Sequence, residues 1–254
     1  MSFLLAPVVS VILLIVILRF MPKNAYPKGF VPGLLAWGGW CALVVGVTFA
    51  IWEYYPLIRS VGLSQFWAMF LEEDSTEFQN ALDAAAGNMG TVTLSYGFAD
   101  SFLTAAIPEE TAKFLVSIFY IKRLKSKKLM LDCVVISSIA GLGFQIVEDF
   151  LFATDGLSTV IIRGLVPFHF TFGAVMGYYI GRALCTEEKK YMFLALILPI
   201  MLHGMFDFSI SMLDASDWYL LLCFIMYVDL MKLTALMLVY IKRKAAEESI
   251  LQYQ

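Results

Sequence analysis

"LMLDCVVISSIAGLGFQIVEDFLFA", residues 129–153, follows a basic run (Lys122, Arg123, Lys125, Lys127, Lys128) and carries a single charge, Asp132, before Glu148 and Asp149. A helix rises about 1.5 Å per residue, so a stretch of this length crosses about 30 Å of hydrocarbon. The rest of the chain reads the same way. Of its 254 residues 60% are hydrophobic and 15% are charged, and the mean hydropathy is +0.79. A soluble domain is near half apolar and about a quarter charged. This composition predicts an all-α polytopic membrane protein.

Apolar runs of spanning length occupy roughly 3–18, 30–52, 91–121, 129–153, 159–181, 191–212 and 218–241. They predict a bundle of about seven transmembrane helices in one integral membrane domain, 1–254, with the chemistry concentrated in 91–212. The first run resembles a signal peptide but lacks a basic leader and an A-x-A-like cleavage site, so it is read as a transmembrane helix. Segment 53–90 is the one sizeable loop; its acidic middle and "DAAAG" (83–87) predict a short helix outside the membrane. Cys41, Cys133, Cys185 and Cys223 have no metal-ligand spacing and read as small core residues. No internal repeat is visible, and nothing points to nucleic acid.

Charge sets the orientation. Most of the 18 basic residues fall in alternate connections: Arg19, Lys23 and Lys28; the run at 122–128; Arg182, Lys189 and Lys190; and Lys242, Arg243 and Lys244. The opposite connections carry Glu72, Glu73, Asp74, Glu77, Asp83, Asp155, Asp214 and Asp217. Because basic residues stay in the cytoplasm, the N-terminus is expected outside and the C-terminus inside.

Within the spans lie Glu109, Glu110, Lys113, Glu148, Asp149, His169, His203, Asp207, Asp229 and Lys232. A charge at the centre of a transmembrane helix costs about 2.5–3.5 kcal/mol on insertion scales, so such groups default to function. Glu109 lies thirteen residues before Lys122, His169 thirteen before Arg182, and His203 thirteen after Lys190. All three are therefore expected about 20 Å from the cytoplasmic face, in the outer half of the membrane. Glu148, twenty residues past Lys128, is nominally nearer the outer surface.

Helical phase draws these groups closer. Lys113 is four residues from Glu109 and three from Glu110, so it can neutralise one carboxylate and leave the other free. His203 and Asp207 share a face, a carboxylate orienting an imidazole. His169, Gly173, Gly177 and Gly181 form one row along which another helix can approach. Asp132 and Arg163 are expected at the cytoplasmic and outer edges. Asp229 and Lys232, three apart, read either as a self-neutralised bridge or as functional, and the sequence leaves both open.

Four motifs stand in order: "EETAK" (109–113), "GLGFQIVED" (141–149), "HFTFGAVMG" (169–177) and "HGMFD" (203–207). On them the chain resembles the PrsW family of intramembrane proteases, related to the CAAX prenyl endopeptidases and their bacterial relatives. Asp149 departs from the asparagine common in that family. The resemblance implies a multi-pass protein of a bacterial plasma membrane that cuts peptide bonds of membrane-anchored proteins, such as anti-sigma factors, on the extracytoplasmic side. It implies a catalytic set of Glu109, Glu110, Lys113, Glu148, His169, His203 and Asp207. Two mechanisms stay open. In one, Glu109 or Glu110 activates water without a cofactor; in the other, His169, His203 and Glu148 hold Zn2+. The rival classes are a proton- or ion-coupled transporter or channel using the same acids and histidines, and a catalytically silent membrane scaffold.

Overall fold

A computed structural model describes residues 5–21, 26–61, 94–124, 130–155, 157–213 and 215–251. Among these residues every regular element is a helix: α1 (Val8–Phe20), α2 (Phe30–Val61), α3 (Leu94–Ala99), a π-helical segment (Asp100–Ala106), α4 (Ile107–Arg123), α5 (Met130–Leu151), a 3-10 turn (Phe152–Asp155), α6 (Leu157–Leu165), α7 (Phe168–Thr186), α8 (Lys189–Ser211) and α9 (Asp217–Leu251). Five stretches are long and apolar enough to cross a membrane: Phe30–Ile51, Met130–Leu151, Thr159–Thr186, Lys189–Ser211 and Asp217–Glu247. The protein is an all-α polytopic membrane protein.

In the first apolar run the described helix covers 13 residues, with residues 1–4 outside the described ones. Two elements differ from the expectation. Helix α2 continues past 52 to Val61, so the loop expected over 53–90 begins as helix; 62–93 lies outside the described residues. The stretch expected as one helix over 159–181 is two, α6 and α7, separated at Val166 and Pro167. Proline has no backbone N–H and fits ahead of a helix start, where that donor is not needed.

The centre is built from α5 and α7. In the spanning stretch of α5, 78% of residues are buried, against 11% in α9. Glycine permits this packing. A Cβ on Gly177 would lie 2.6 Å from Val134 Cα, and one on Gly173 would lie 2.9 Å from the Ser137 carbonyl carbon. The opposite face of α5 receives α2, where a Cβ on Gly143 would lie 2.9 Å from Leu35 Cα. Helices meeting at backbone distance gain dispersion contacts that lipid cannot supply. None of the four cysteines forms a disulfide.

Helix α9 lies outermost. It attaches through buried Leu230, Thr234, Ile241 and Ala245, with the Thr234 and Thr171 hydroxyls 2.5 Å apart. The π-helical segment leads into the glutamates. Ile107 N–H bonds the Phe102 carbonyl, five residues back, and Pro108, with no N–H, follows at the start of α4. The extra residue in this wide turn shifts the phase of α4 relative to α3. The Phe102 ring in turn fills the place of a Gly204 side chain, holding this segment against α8 beside His203.

Candidate active site

Four helices deliver the polar groups. Helix α4 supplies Glu109, Glu110 and Lys113, α5 supplies Glu148, α7 supplies His169, and α8 supplies His203 and Asp207. All seven expected site residues converge. Lys113 is completely buried and lies at the hub. Its Nζ is 2.7 Å from Glu110 Oε1 and 3.5 Å from Glu109 Oε2, and it donates to His169 Nδ1 at 2.7 Å. The Phe144 ring faces the ammonium at 4.2 Å.

The two histidines are held differently. His169 Nδ1 faces an ammonium, which only donates, so this nitrogen accepts and the ring proton sits on Nε2. From there it donates to Glu148 Oε2. His203 has a carboxylate at each nitrogen: Glu110 Oε1 at 2.9 Å from Nδ1 and Asp207 Oδ2 at 3.0 Å from Nε2. Both contacts are hydrogen bonds when the ring is the imidazolium, or when one of the two carboxyls holds the proton and the ring is neutral. Phe172 stacks on His203 at 5.1 Å, and Phe144 lies 4.9 Å from His169. The rings thus carry apolar walls that fix their planes.

The two adjacent glutamates also separate. Glu110 is completely buried and gives Oε1 to both Lys113 and His203. Glu109 Oε2 has no hydrogen-bond partner and lies 3.9 Å from His203 Nε2 and 4.0 Å from His169 Nδ1. Its side chain is 12% exposed, and Asp207, beyond it on α8, is 31% exposed. The site is thus reached from the Glu109–Asp207 side and also past Glu148, whose side chain is 17% exposed. Glu109 is a buried carboxylate whose Oε2 accepts no hydrogen bond and faces two imidazoles and, at 3.5 Å, the Lys113 ammonium.

Beside this core stands a second layer that sequence reading did not include in the site. Arg163, expected at the outer edge, reaches back to α5, with Nη2 2.6 Å from Glu148 Oε2 and Nε 3.3 Å from Asp149 Oδ1. It can do so because the chain breaks between α6 and α7. Gln145 was not singled out at all. Its Oε1 accepts from the His169 backbone N–H at 3.1 Å, and its Nε2 donates to Asp149 Oδ1 at 2.7 Å. That N–H belongs to the first turn of α7, where intrahelical partners are missing. The available signal was the four-residue spacing of Gln145 and Asp149 on one helix face.

Glu109, Glu110, His169 and His203 each offer one ligand atom, all within 4.8 Å of one another. Glu148 stands outside this group, across the His169 ring. The donor types suit zinc, which takes at least three protein ligands, and these four residues could hold a metal ion. A metal bound to Glu110 Oε1 and His169 Nδ1 would occupy the position of Lys113 Nζ, and every ring nitrogen already faces a protein group.

A sequence-family model described as "PrsW family intramembrane metalloprotease" matches residues 26–237. The curated relative "Protease PrsW" of Geobacillus kaustophilus (strain HTA426) is 32% identical over 127 residues, 48% of this chain and 56% of the relative. Its namesake in Shouchella clausii (strain KSM-K16) is 38% identical over 118 residues, 44% and 55% of the two chains. In Bacillus subtilis (strain 168) the values are 30% over 127 residues, 48% and 58%. The matched region spans about half the length of these relatives. No solved structure matches the chain significantly.

Proposed function

The chain belongs to the PrsW family of intramembrane metalloproteases, and from that premise we propose that it is an endopeptidase cutting membrane-anchored proteins in the outer half of a bacterial plasma membrane. The observation that carries this reading is Glu109 Oε2, which accepts no hydrogen bond and faces two oriented imidazoles. Amide hydrolysis needs an activated water and positive charge where the oxyanion develops. Glu109 is the base. The water oxygen bonds the carbonyl carbon while Glu109 takes its proton; the C–N bond then breaks as that proton passes to the leaving nitrogen.

The other groups serve that step. Lys113 and the His203 imidazolium supply positive charge beside the carbonyl. Glu110 holds both in place. Glu148 fixes the His169 tautomer, and Arg163 orients Glu148. Residues 91–212 form the catalytic core, with the N-terminus outside, so that the Glu109–Asp207 opening faces the outer surface. Substrates of the anti-sigma-factor kind, cut near that surface, suit this placement. The step as proposed uses this chain's own groups, with the Lys113 ammonium between Glu110 Oε1 and His169 Nδ1.

The test compares new protein N-termini in membranes of cells expressing wild type or Glu109→Gln at equal abundance. Fragments that appear only with wild type, and persist when purified protein is treated with a chelator, are the expected result. Equal fragment patterns would overturn the proteolytic reading. Fragments lost with the chelator would overturn its metal-free form.

A further inference from the structure

We propose that the outward face of α9 is the contact surface of a homodimer, in which Asp229 and Lys232 of one copy pair with Lys232 and Asp229 of the other. The two side chains form an ion pair of 3.1 Å on their own helix, yet they are 63% and 67% exposed. Asp229 lies thirteen residues before Lys242, about 20 Å from the cytoplasmic end of the helix. That is the depth expected for the catalytic groups. Lys232, three residues closer, is still about 15 Å from that end, further than a lysine stem carries its ammonium towards water. An ion pair at this depth with most of its surface towards acyl chains lacks the partners that intramembrane charges take.

The position of the pair defines the partner. Thr234 and Leu230 hold the opposite face of α9 against the bundle, so the outward face cannot turn inward. On it Ile225, Lys232 and Val239 recur every seven residues, with Asp229 and Leu236 between them in alternating steps of four and three. All are exposed. This is the spacing of a left-handed helix pair, in which one polar position fixes register and partner. A two-fold axis along the membrane normal makes such a seam meet itself. Each Asp229 then stands one turn from the other copy's Lys232, and four charges neutralise one another inside a packed interface. A single acid–base couple on one helix is self-complementary in this way. The inference is independent of the proteolytic reading.

The experiment uses two differently tagged full-length chains in one membrane, with recovery through one tag and detection of the other. Two wild-type chains are expected to co-purify. Asp229→Lys with itself, or Lys232→Asp with itself, is expected to lose co-purification by about tenfold or more, since like charges then face each other. Asp229→Lys co-expressed with Lys232→Asp is expected to restore it. A bridge within one helix cannot produce that rescue, and rescue also shows that both variants fold. For the face itself, Ile225→Cys in a Cys223→Ser background is expected to form a disulfide between copies. Wild-type chains that do not co-purify, equal recovery of every combination, or failure of the charge-swapped couple would each overturn the proposal. So would pairing of Asp229 and Lys232 with a different protein in place of a second copy.

Discussion

Glu110–Lys113 and Asp229–Lys232 are the same device in two places. Each is a carboxylate and a lysine three residues apart, and each begins about thirteen residues from a basic helix end. The first pair is 2.7 Å long and completely buried; the second is 3.1 Å long and mostly exposed. Around the first stand His169 from α7 and His203 from α8, with Glu109 beside them on the pair's own helix. The second faces outward from a helix with 11% of its spanning residues buried. Local pairing makes a charge tolerable in a membrane helix; convergence of other helices makes it chemical.

The largest effect that would break this comparison is at Glu109. Glu109→Gln is expected to lower kcat by about 10²–10⁴-fold, the usual range for general acid–base catalysis, with membrane abundance unchanged. A variant that disappears from the membrane would instead make Glu109 structural. Next comes stability. Removing Lys113 leaves Glu109 and Glu110 without their shared cation, and breaking a buried pair costs about 3–5 kcal/mol. Lys113→Ala should therefore melt far earlier in detergent than wild type. Lys232→Ala breaks a pair that lies on one outward helix face and should shift the melting of the single chain by less than Lys113→Ala does.

Arg163 sharpens the contrast at smaller amplitude. Arg163→Gln frees the Glu148 carboxylate that orients His169, and loss of such an orienting partner costs about 10–100-fold. It also leaves Glu148 and Asp149 adjacent without a counter-ion. Adding Asp149→Asn to Arg163→Gln should recover part of the activity, a rescue that a purely structural role for Arg163 would not give. The smallest effect is expected for Asp149→Asn alone. Its side-chain oxygen can still accept from Gln145 and Arg163, so cleavage should fall by less than about tenfold.

Much of the site was legible because membrane helices obey two simple constraints. Charges are rare in them, so Glu109, Glu110, Glu148, His169, His203 and Asp207 stand out by composition alone. Helices of known rise then place residues by depth, which put Glu109, His169 and His203 on one level. The glycine row of α7 was readable too, because small residues at four-residue spacing have few uses besides close approach. Arg163 was missed because its distance along the chain from the membrane edge said nothing about a proline break that turns it back to α5. Gln145 was missed because an uncharged amide gives no compositional signal.

The sequence by itself determined that this chain is a helical membrane protein, and which side chains the bilayer makes too costly to keep without a purpose. Both follow from transfer free energies, which belong to residues one at a time. Only the tertiary structure decided that Glu110 shares Oε1 between Lys113 and His203 while Glu109 Oε2 faces both imidazoles, and that His169 accepts from a lysine while His203 lies between two carboxylates. It also decided that one Asp–Lys pair faces outward. Those distinctions depend on which helix faces which, and helix packing is set by the shapes of several surfaces at once, a property that no single stretch of sequence carries.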